Sequence, residues 1–163
     1  MKKSLFQCVL DMCKLNHQEE KAITFSGAFV NDSFGVYMKV LVLIASAAAI
    51  LMSKEYLVDH SINRFEFPVL ILLASLGMLM MISANDFIAL YLGLELQSLA
   101  LYVIAAFQRD SRRSAEAGIK YFVLGALASG LLLYGISLIY GFSGTTSFSG
   151  LSKLSFLYKY NVS

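Results

Sequence analysis

The sequence carries little charge for its length. Charged residues make up 15% of its 163 residues and hydrophobic residues 58%, whereas about 25% of residues are charged in soluble domains. This balance excludes a disordered chain and an ordinary soluble domain, and it predicts an integral membrane protein. The net charge of +2 is too small to indicate a nucleic-acid partner.

Cysteine is also scarce, and the common cofactor motifs are absent. The two cysteines, Cys8 and Cys13, cannot make a disulfide framework. With His17 they provide three possible metal ligands, but no fourth lies nearby, and zinc sites use four ligands or three and a water. The sequence has no dinucleotide-binding glycine fingerprint, iron–sulfur cysteine set or flavin motif. We therefore expect this chain to bind no metal and no cofactor.

Four long apolar runs dominate what is present, and they predict an all-α integral membrane fold with four transmembrane helices. About 20 residues at 1.5 Å each cross the hydrocarbon core of a bilayer. The predicted spans are about 36–52, 67–85, 87–108 and 117–142. The chain then divides into an extramembrane N-terminal segment, a four-helix transmembrane region and a polar C-terminal tail: 1–34, 35–142 and 143–163.

Local features predict how the spans pack. The turn at 83–86 is so short that the second and third spans should be antiparallel neighbours, and Asp86 suits the N-cap of the third span. Small residues on the first and fourth spans should allow helices to approach closely. They are 45–49, Gly125, Ser129, Gly130 and Gly135.

The basic residues predict the orientation of the helices. The loops 54–66 and 109–120 hold six of them, and the turn 83–86 holds none. By the positive-inside rule, these two loops face the cytoplasm and both termini lie on the other side. Lysines in the N-terminal segment and in the tail oppose this orientation, the former from a distance at which the rule weakens.

Glu95 is the one charged residue in the third span, and it is the main candidate functional residue. An ionisable group near mid-membrane is costly and usually faces the interior of a helix bundle, where it marks an ion or proton pathway. Tyr91, Ser98 and Tyr102 share its helix face, so their hydroxyls could bind the carboxyl or order a water chain. The pattern favours a proton carrier. The alternative is an uncharged glutamic acid that only hydrogen-bonds a neighbouring helix.

Lys120, near the start of the fourth span, is the second candidate site residue. It could act in a proton relay, or its ammonium could simply extend to the cytoplasmic headgroups while its stem adds apolar length. Lys39 stands at one end of the first span, and for it we expect the second role.

Two stretches resemble the N subunit of proton-pumping NADH:quinone oxidoreductase, respiratory complex I. They are SANDFIALYLGLELQSLALY, 83–102, and RSAEAGIKYFVLGALASG, 113–130. The resemblance continues in consecutive order over about 28–148, and 1–27 show no match. It implies the antiporter-like multi-helix membrane fold, which is shared with multi-subunit Na+/H+ antiporters.

The resemblance also implies roles for individual residues. Glu95 matches the glutamate of the family's GLEL segment, and Lys120 matches a family lysine. In the family, that glutamate works with a further lysine on a later, broken helix. This sequence has no such helix, nor the family's first two helices. We therefore expect a partial subunit, and a second polypeptide that supplies the missing helices.

The function implied is that of a membrane subunit fragment of the enzyme NADH:quinone oxidoreductase, contributing part of a proton pathway through Glu95. NADH and quinone would be used by the whole complex, and other subunits would carry out the redox reaction. The expected partners are other membrane subunits of complex I and the lipid bilayer of a bacterial inner membrane. The alternatives are a subunit of a Na+/H+ antiporter and a structural remnant that does not pump.

Cysteine labelling tests the predicted orientation. Ser111→Cys and Ser147→Cys, each made in a variant without the native cysteines, are treated with a membrane-impermeant maleimide from the periplasmic side. We expect position 147 to react and position 111 to be protected, because the basic loop faces the cytoplasm. Labelling at position 111 but not at 147 would show that the orientation is wrong.

Overall fold

The computed structural model describes residues 22–59, 65–108 and 110–161. A short antiparallel hairpin comes first, with strands β1 (Ala22–Thr24) and β2 (Phe29–Asn31) joined through a 3-10 turn. Five helices follow it: α1 (Ser33–Asp59), α2 (Glu66–Ser83), α3 (Phe87–Ala105), α4 (Arg112–Ser143) and α5 (Phe148–Asn161). The possible metal ligands Cys8, Cys13 and His17 lie outside the described residues.

Four of these helices are long and apolar enough to cross a membrane, which confirms the predicted all-α fold with four spans. The chain is a membrane protein. α4 begins at Arg112, earlier than the sequence suggested, because Ser111 caps it: the Ser111 Oγ accepts a hydrogen bond from the Ser114 N–H at 3.4 Å. The Ser114 hydroxyl donates in turn to the Ala105 carbonyl at 2.9 Å, which ties the start of α4 to the end of α3.

α2 and α3 form an antiparallel pair at the centre of the bundle, and small residues set their spacing. A Cβ on Gly77 would lie 2.7 Å from both the Gly93 carbonyl oxygen and the Gln97 nitrogen, and one on Gly93 would lie 3.0 Å from the Gly77 oxygen. The backbones can approach this closely only because neither residue has a side chain. At the far end of the pair, the Phe67 and Phe107 rings meet edge to face at 5.3 Å.

α4 packs against α3 along one face only. A Cβ on Gly118 would lie 2.5 Å from the Ala106 Cβ, and one on Gly125 would meet the Tyr102 hydroxyl. Around Gly130 and Gly135 a Cβ would meet nothing within 4 Å, so only part of the predicted small-residue set touches a neighbour. The remaining faces of α4 are apolar and exposed, as expected of a helix that contacts lipid or further helices.

The turn between α2 and α3 is hydrogen-bonded to the N-terminal hairpin on one side and to the α4–α5 connection on the other. On one side, the Asn85 N–H donates to the Ala28 carbonyl at 2.8 Å, and the Asn85 side-chain amide donates to the Gly27 carbonyl at 2.9 Å. On the other side, the Thr146 hydroxyl donates to Asp86 Oδ2 at 2.7 Å. Asp86 also caps α3, because its Oδ1 accepts from the Ile88 N–H at 2.8 Å. The hairpin and the α4–α5 connection therefore lie on the same side of the bundle as this turn.

The close approach at Gly77 generates a stability prediction. Gly77→Ala should destabilise the protein by about 1–3 kcal/mol, because the new methyl group meets backbone atoms that cannot rotate away. Gly130→Ala is the matched control, since alanine is the better helix former and its Cβ meets open space. Thermal unfolding in detergent, followed by circular dichroism, measures both variants. Equal midpoints for the two would contradict this account of the α2–α3 contact.

Candidate functional site

Glu95 lies near the middle of α3, and the structure gives its carboxyl a partner on α4. The Ser129 hydroxyl donates a short hydrogen bond to Glu95 Oε1. The Tyr91 hydroxyl lies 3.0 Å from the Ser129 Oγ, so with Ser129 donating to Glu95, Tyr91 donates to Ser129. The three side chains are half-buried. We call this chain of hydroxyls and carboxyl the Tyr91–Ser129–Glu95 cluster.

The local sequence explains why these groups meet. Tyr91 precedes Glu95 by four residues, which places both on one helix face. On α4, Gly125 precedes Ser129 by one turn, and the absence of a side chain there brings the two helices close enough for a serine to reach across. A longer residue at either α4 position would push the helices apart. The cluster therefore depends on helix spacing as much as on the identity of its polar groups.

The other two hydroxyls predicted to accompany Glu95 are placed differently. Tyr102 is enclosed by rings, meeting Tyr121 edge to face at 4.8 Å and Phe122 at 5.6 Å, and its hydroxyl lies against Gly125. Ser98 is half-buried on α3. In the described residues, neither has a hydrogen bond to Glu95. Tyr102 acts in packing α3 against α4, and of the three predicted hydroxyls only Tyr91 joins the cluster.

Glu95 stands at the border between a covered and an uncovered side of α3. Ser129 and Tyr91 occupy the covered side. On the other side, Leu92 and Leu99, the neighbours one turn away in each direction, are about half exposed. Within the described part of the chain, Glu95 Oε2 takes part in no hydrogen bond. The carboxyl thus has one oxygen bound by Ser129 and one oxygen available to a group outside this bundle.

Lys120 is placed apart from Glu95. Its Nζ lies 2.5 Å from Glu116 Oε1, and both side chains are about two-thirds exposed. Lys120 precedes Ser129 by nine residues on α4, about 13 Å along the helix axis, which is beyond the reach of a lysine side chain. It therefore sits near the start of α4, paired with a neighbouring carboxylate rather than with the central one.

Sequence reasoning missed the role of Ser129. The sequence marks Ser129 as one of several small residues on the fourth span, and nothing distinguishes it from Gly130 or Gly135 in packing. One signal in the sequence could have indicated this role: Ser129 and Glu95 both lie near the middle of their helices, and hence at a similar depth. Which face of α4 meets α3 depends on tertiary contacts, so the pairing appears only in the folded chain. In the described residues, no group of three His, Cys, Asp or Glu side chains could hold a metal ion.

Comparisons with known proteins show which membrane proteins this chain is similar to. A family described as NADH:quinone oxidoreductase/Mrp antiporter, transmembrane, matches residues 84–163. A protein named NADH-quinone oxidoreductase subunit N from Paramagnetospirillum magneticum is 68% identical over 120 residues, which is 74% of this chain. Proteins of the same name from Beijerinckia indica and Parvibaculum lavamentivorans are 64% and 66% identical over 73% and 71% of this chain.

The chain spans about a quarter of the length of these curated relatives. The matched part is 25% of the first two proteins and 24% of the third. Within this chain, the region matched by the family includes the whole of α3 and α4, and hence every member of the Tyr91–Ser129–Glu95 cluster.

Proposed function

We propose that this chain, which belongs to the NADH:quinone oxidoreductase/Mrp antiporter family of membrane subunits, carries part of a proton-translocation pathway through Glu95. The observation that carries this proposal is the hydrogen-bonded cluster of Tyr91, Ser129 and Glu95 at mid-membrane. Intramembrane acids mark transport paths more often than they serve packing alone. The chain would act inside a complex that oxidises NADH and reduces quinone, with both redox reactions carried out by other subunits.

The cluster has the chemistry that a proton relay needs. A hydroxyl both donates and accepts a hydrogen bond, and its hydrogen can rotate from one partner to the other. When Glu95 is ionised, the bonds run from Tyr91 through Ser129 to the carboxylate. When Glu95 is protonated, it can donate to Ser129 and reverse the direction of the chain. As the Ser129 proton passes to the carboxylate and the Tyr91 proton passes to Ser129, water that reaches Tyr91 would supply the proton that restores its hydroxyl, so a proton moves along the three groups without any of them leaving its place.

A change in the charge state of Glu95 requires a further partner on its uncovered side. Ionising a carboxyl in low dielectric is costly unless a counter-charge or strong hydrogen bonds stabilise it. Ser129 supplies one hydrogen bond to Oε1. We assign the space beside Leu92 and Leu99 to a helix of another membrane subunit or of a second polypeptide, which brings a lysine toward Oε2. Approach of that lysine would favour the carboxylate and release the proton of Glu95, and its withdrawal would let Glu95 bind a proton again.

Lys120 is assigned a place in proton transfer at the cytoplasmic end of the bundle. Its exposed pair with Glu116 sits where a proton would enter from the cytoplasm of a bacterial cell, given the orientation favoured by the basic loops. The carboxylate and the ammonium, one helical turn apart, can pass a proton toward the interior through water. Direct exchange with Glu95 is excluded by the distance along α4.

Substitutions in the cluster test the relay. In an assembled complex containing this chain, Glu95→Gln should abolish most of the chain's contribution to proton uptake per NADH oxidised, because an amide cannot release a proton. Ser129→Ala should slow the transfer by up to about tenfold, since it removes a hydrogen bond to the carboxyl. The matched control is Ser53→Ala, whose hydroxyl bonds only the Ala49 carbonyl on its own helix.

The measurement is NADH-driven proton uptake in inverted membrane vesicles, with a native gel to show that each variant assembles. Equal pumping by the parent and an assembled Glu95→Gln variant would make Glu95 a structural hydrogen-bonding residue. Uptake that depends on Na+ rather than on NADH would instead indicate a Na+/H+ antiporter subunit; an antiporter is the other protein named in the family's description.

Lys120 gives a second prediction. Lys120→Ala should lower the rate of proton uptake while leaving thermal stability nearly unchanged, because exposed i,i+4 ion pairs contribute little to folding. Lys54→Ala, which removes an exposed lysine at the cytoplasmic end of α1, is the control. Identical uptake rates in the two variants would remove Lys120 from the pathway.

A further inference from the structure

A groove lies between the N-terminal hairpin, α1 and α2, away from the Tyr91–Ser129–Glu95 cluster. Its volume is about 540 Å³, which is within the range of sites for small organic ligands. Most of its wall is apolar, and the apolar lining includes Phe25, Phe29, Leu76, Leu79 and Met80. The groove is therefore an apolar surface at the edge of the bundle.

One end of this groove is polar and carries a positive charge. Lys39, in the second turn of α1, lines the groove together with Thr24, Asn31 and Ser83. The Lys39 ammonium donates to the Asn31 side-chain oxygen at 2.8 Å, a neutral acceptor. Among the described residues, no carboxylate forms an ion pair with Lys39.

The nearest carboxylate in sequence is already used elsewhere. Asp32 follows Asn31 directly, and its Oδ1 accepts from the Gly35 N–H at 2.7 Å, which caps the start of α1. Lys39 therefore makes no direct ion pair with any carboxylate of the described residues. An ammonium with two further donors and no such pair is suited to an anionic oxygen.

The groove also lies at the correct depth for a molecule with a charged head and apolar tails. Ser83 is the last residue of α2 and borders the turn to α3, so the polar end is at the membrane boundary. Leu76 lies about two turns deeper in the membrane-spanning part of α2 and is half exposed. The polar end faces the headgroup layer, and the apolar wall runs from there into the hydrocarbon.

We propose that this groove binds an anionic phospholipid, with its phosphate on Lys39 and an acyl chain along Leu76, Leu79 and Met80. The charge decides among possible occupants. An apolar helix would fill the apolar wall but bring no anion to the ammonium, and a zwitterionic lipid would bring a second cation together with its phosphate, so a lipid with net negative charge suits this end of the groove best. An anionic headgroup near a membrane surface gains about fivefold in affinity from each such basic residue.

Native mass spectrometry of the purified chain tests this proposal. The protein is reconstituted into bilayer discs of equal parts phosphatidylglycerol and phosphatidylcholine, released, and its retained lipid is counted. We expect the parent to retain phosphatidylglycerol selectively and Lys39→Gln to lower that retention about fivefold. Lys54→Gln is the matched control, because it removes an exposed lysine of the same helix that lies outside the groove.

Asn31→Asp provides an independent test that preserves shape. The new carboxylate would pair with Lys39 in the place of the present amide, and it should lower phosphatidylglycerol retention as strongly as Lys39→Gln does. Circular dichroism shows that each variant remains helical. Equal retention of both lipids by the parent, no retained lipid, or equal losses in Lys39→Gln and Lys54→Gln would overturn the proposal.

Discussion

A carboxyl group in the middle of a bilayer has no bulk water to hydrogen-bond it, and this constraint governs the structure around Glu95. The protein itself must supply the partners, or the group remains costly in every charge state. Here the first partner is a serine on a neighbouring helix, and that serine is in turn bonded to a tyrosine. The arrangement stabilises the acid without fixing its charge, since each hydroxyl can donate or accept.

Ser129 reaches Glu95 only because helices α2, α3 and α4 approach one another closely. Gly77 and Gly93 bring α2 and α3 together until backbone meets backbone, and Gly125 leaves room for the hydroxyl end of Tyr102 against α4. In lipid, no hydrophobic effect drives helices together, so van der Waals contact of this kind provides much of the packing energy. The same contacts that stabilise the bundle also place Ser129 beside the acid.

Much of the architecture follows from sequence, for identifiable reasons. Length and apolarity predict the four spans because the thickness of the bilayer fixes how long a span must be. The short 83–86 turn predicts that α2 and α3 are neighbours, and Asp86 does cap α3. These features depend only on residues close together in the chain.

Other features depend on the rotation of one helix against another, and there sequence patterns are ambiguous. Residues 45, 47, 48 and 49 are small but exposed, whereas Gly77 and Gly93 carry the backbone contact between α2 and α3. Ser129 is a hydrogen-bond partner, although its neighbour Gly130 faces open space. The hairpin and α5 are held by bonds to distant segments, so local propensity alone did not indicate them.

The hydrogen bonds at the α2–α3 turn have a consequence for how the chain is made. Asn85 and Asp86 bond residues near 28 and near 146, which leave the ribosome far apart in time. The first half of this junction can close once α3 has crossed the bilayer, but the second half must wait until α4 has crossed back. The complete set of hydrogen bonds at this turn can therefore form only in a chain whose four spanning helices are all in place.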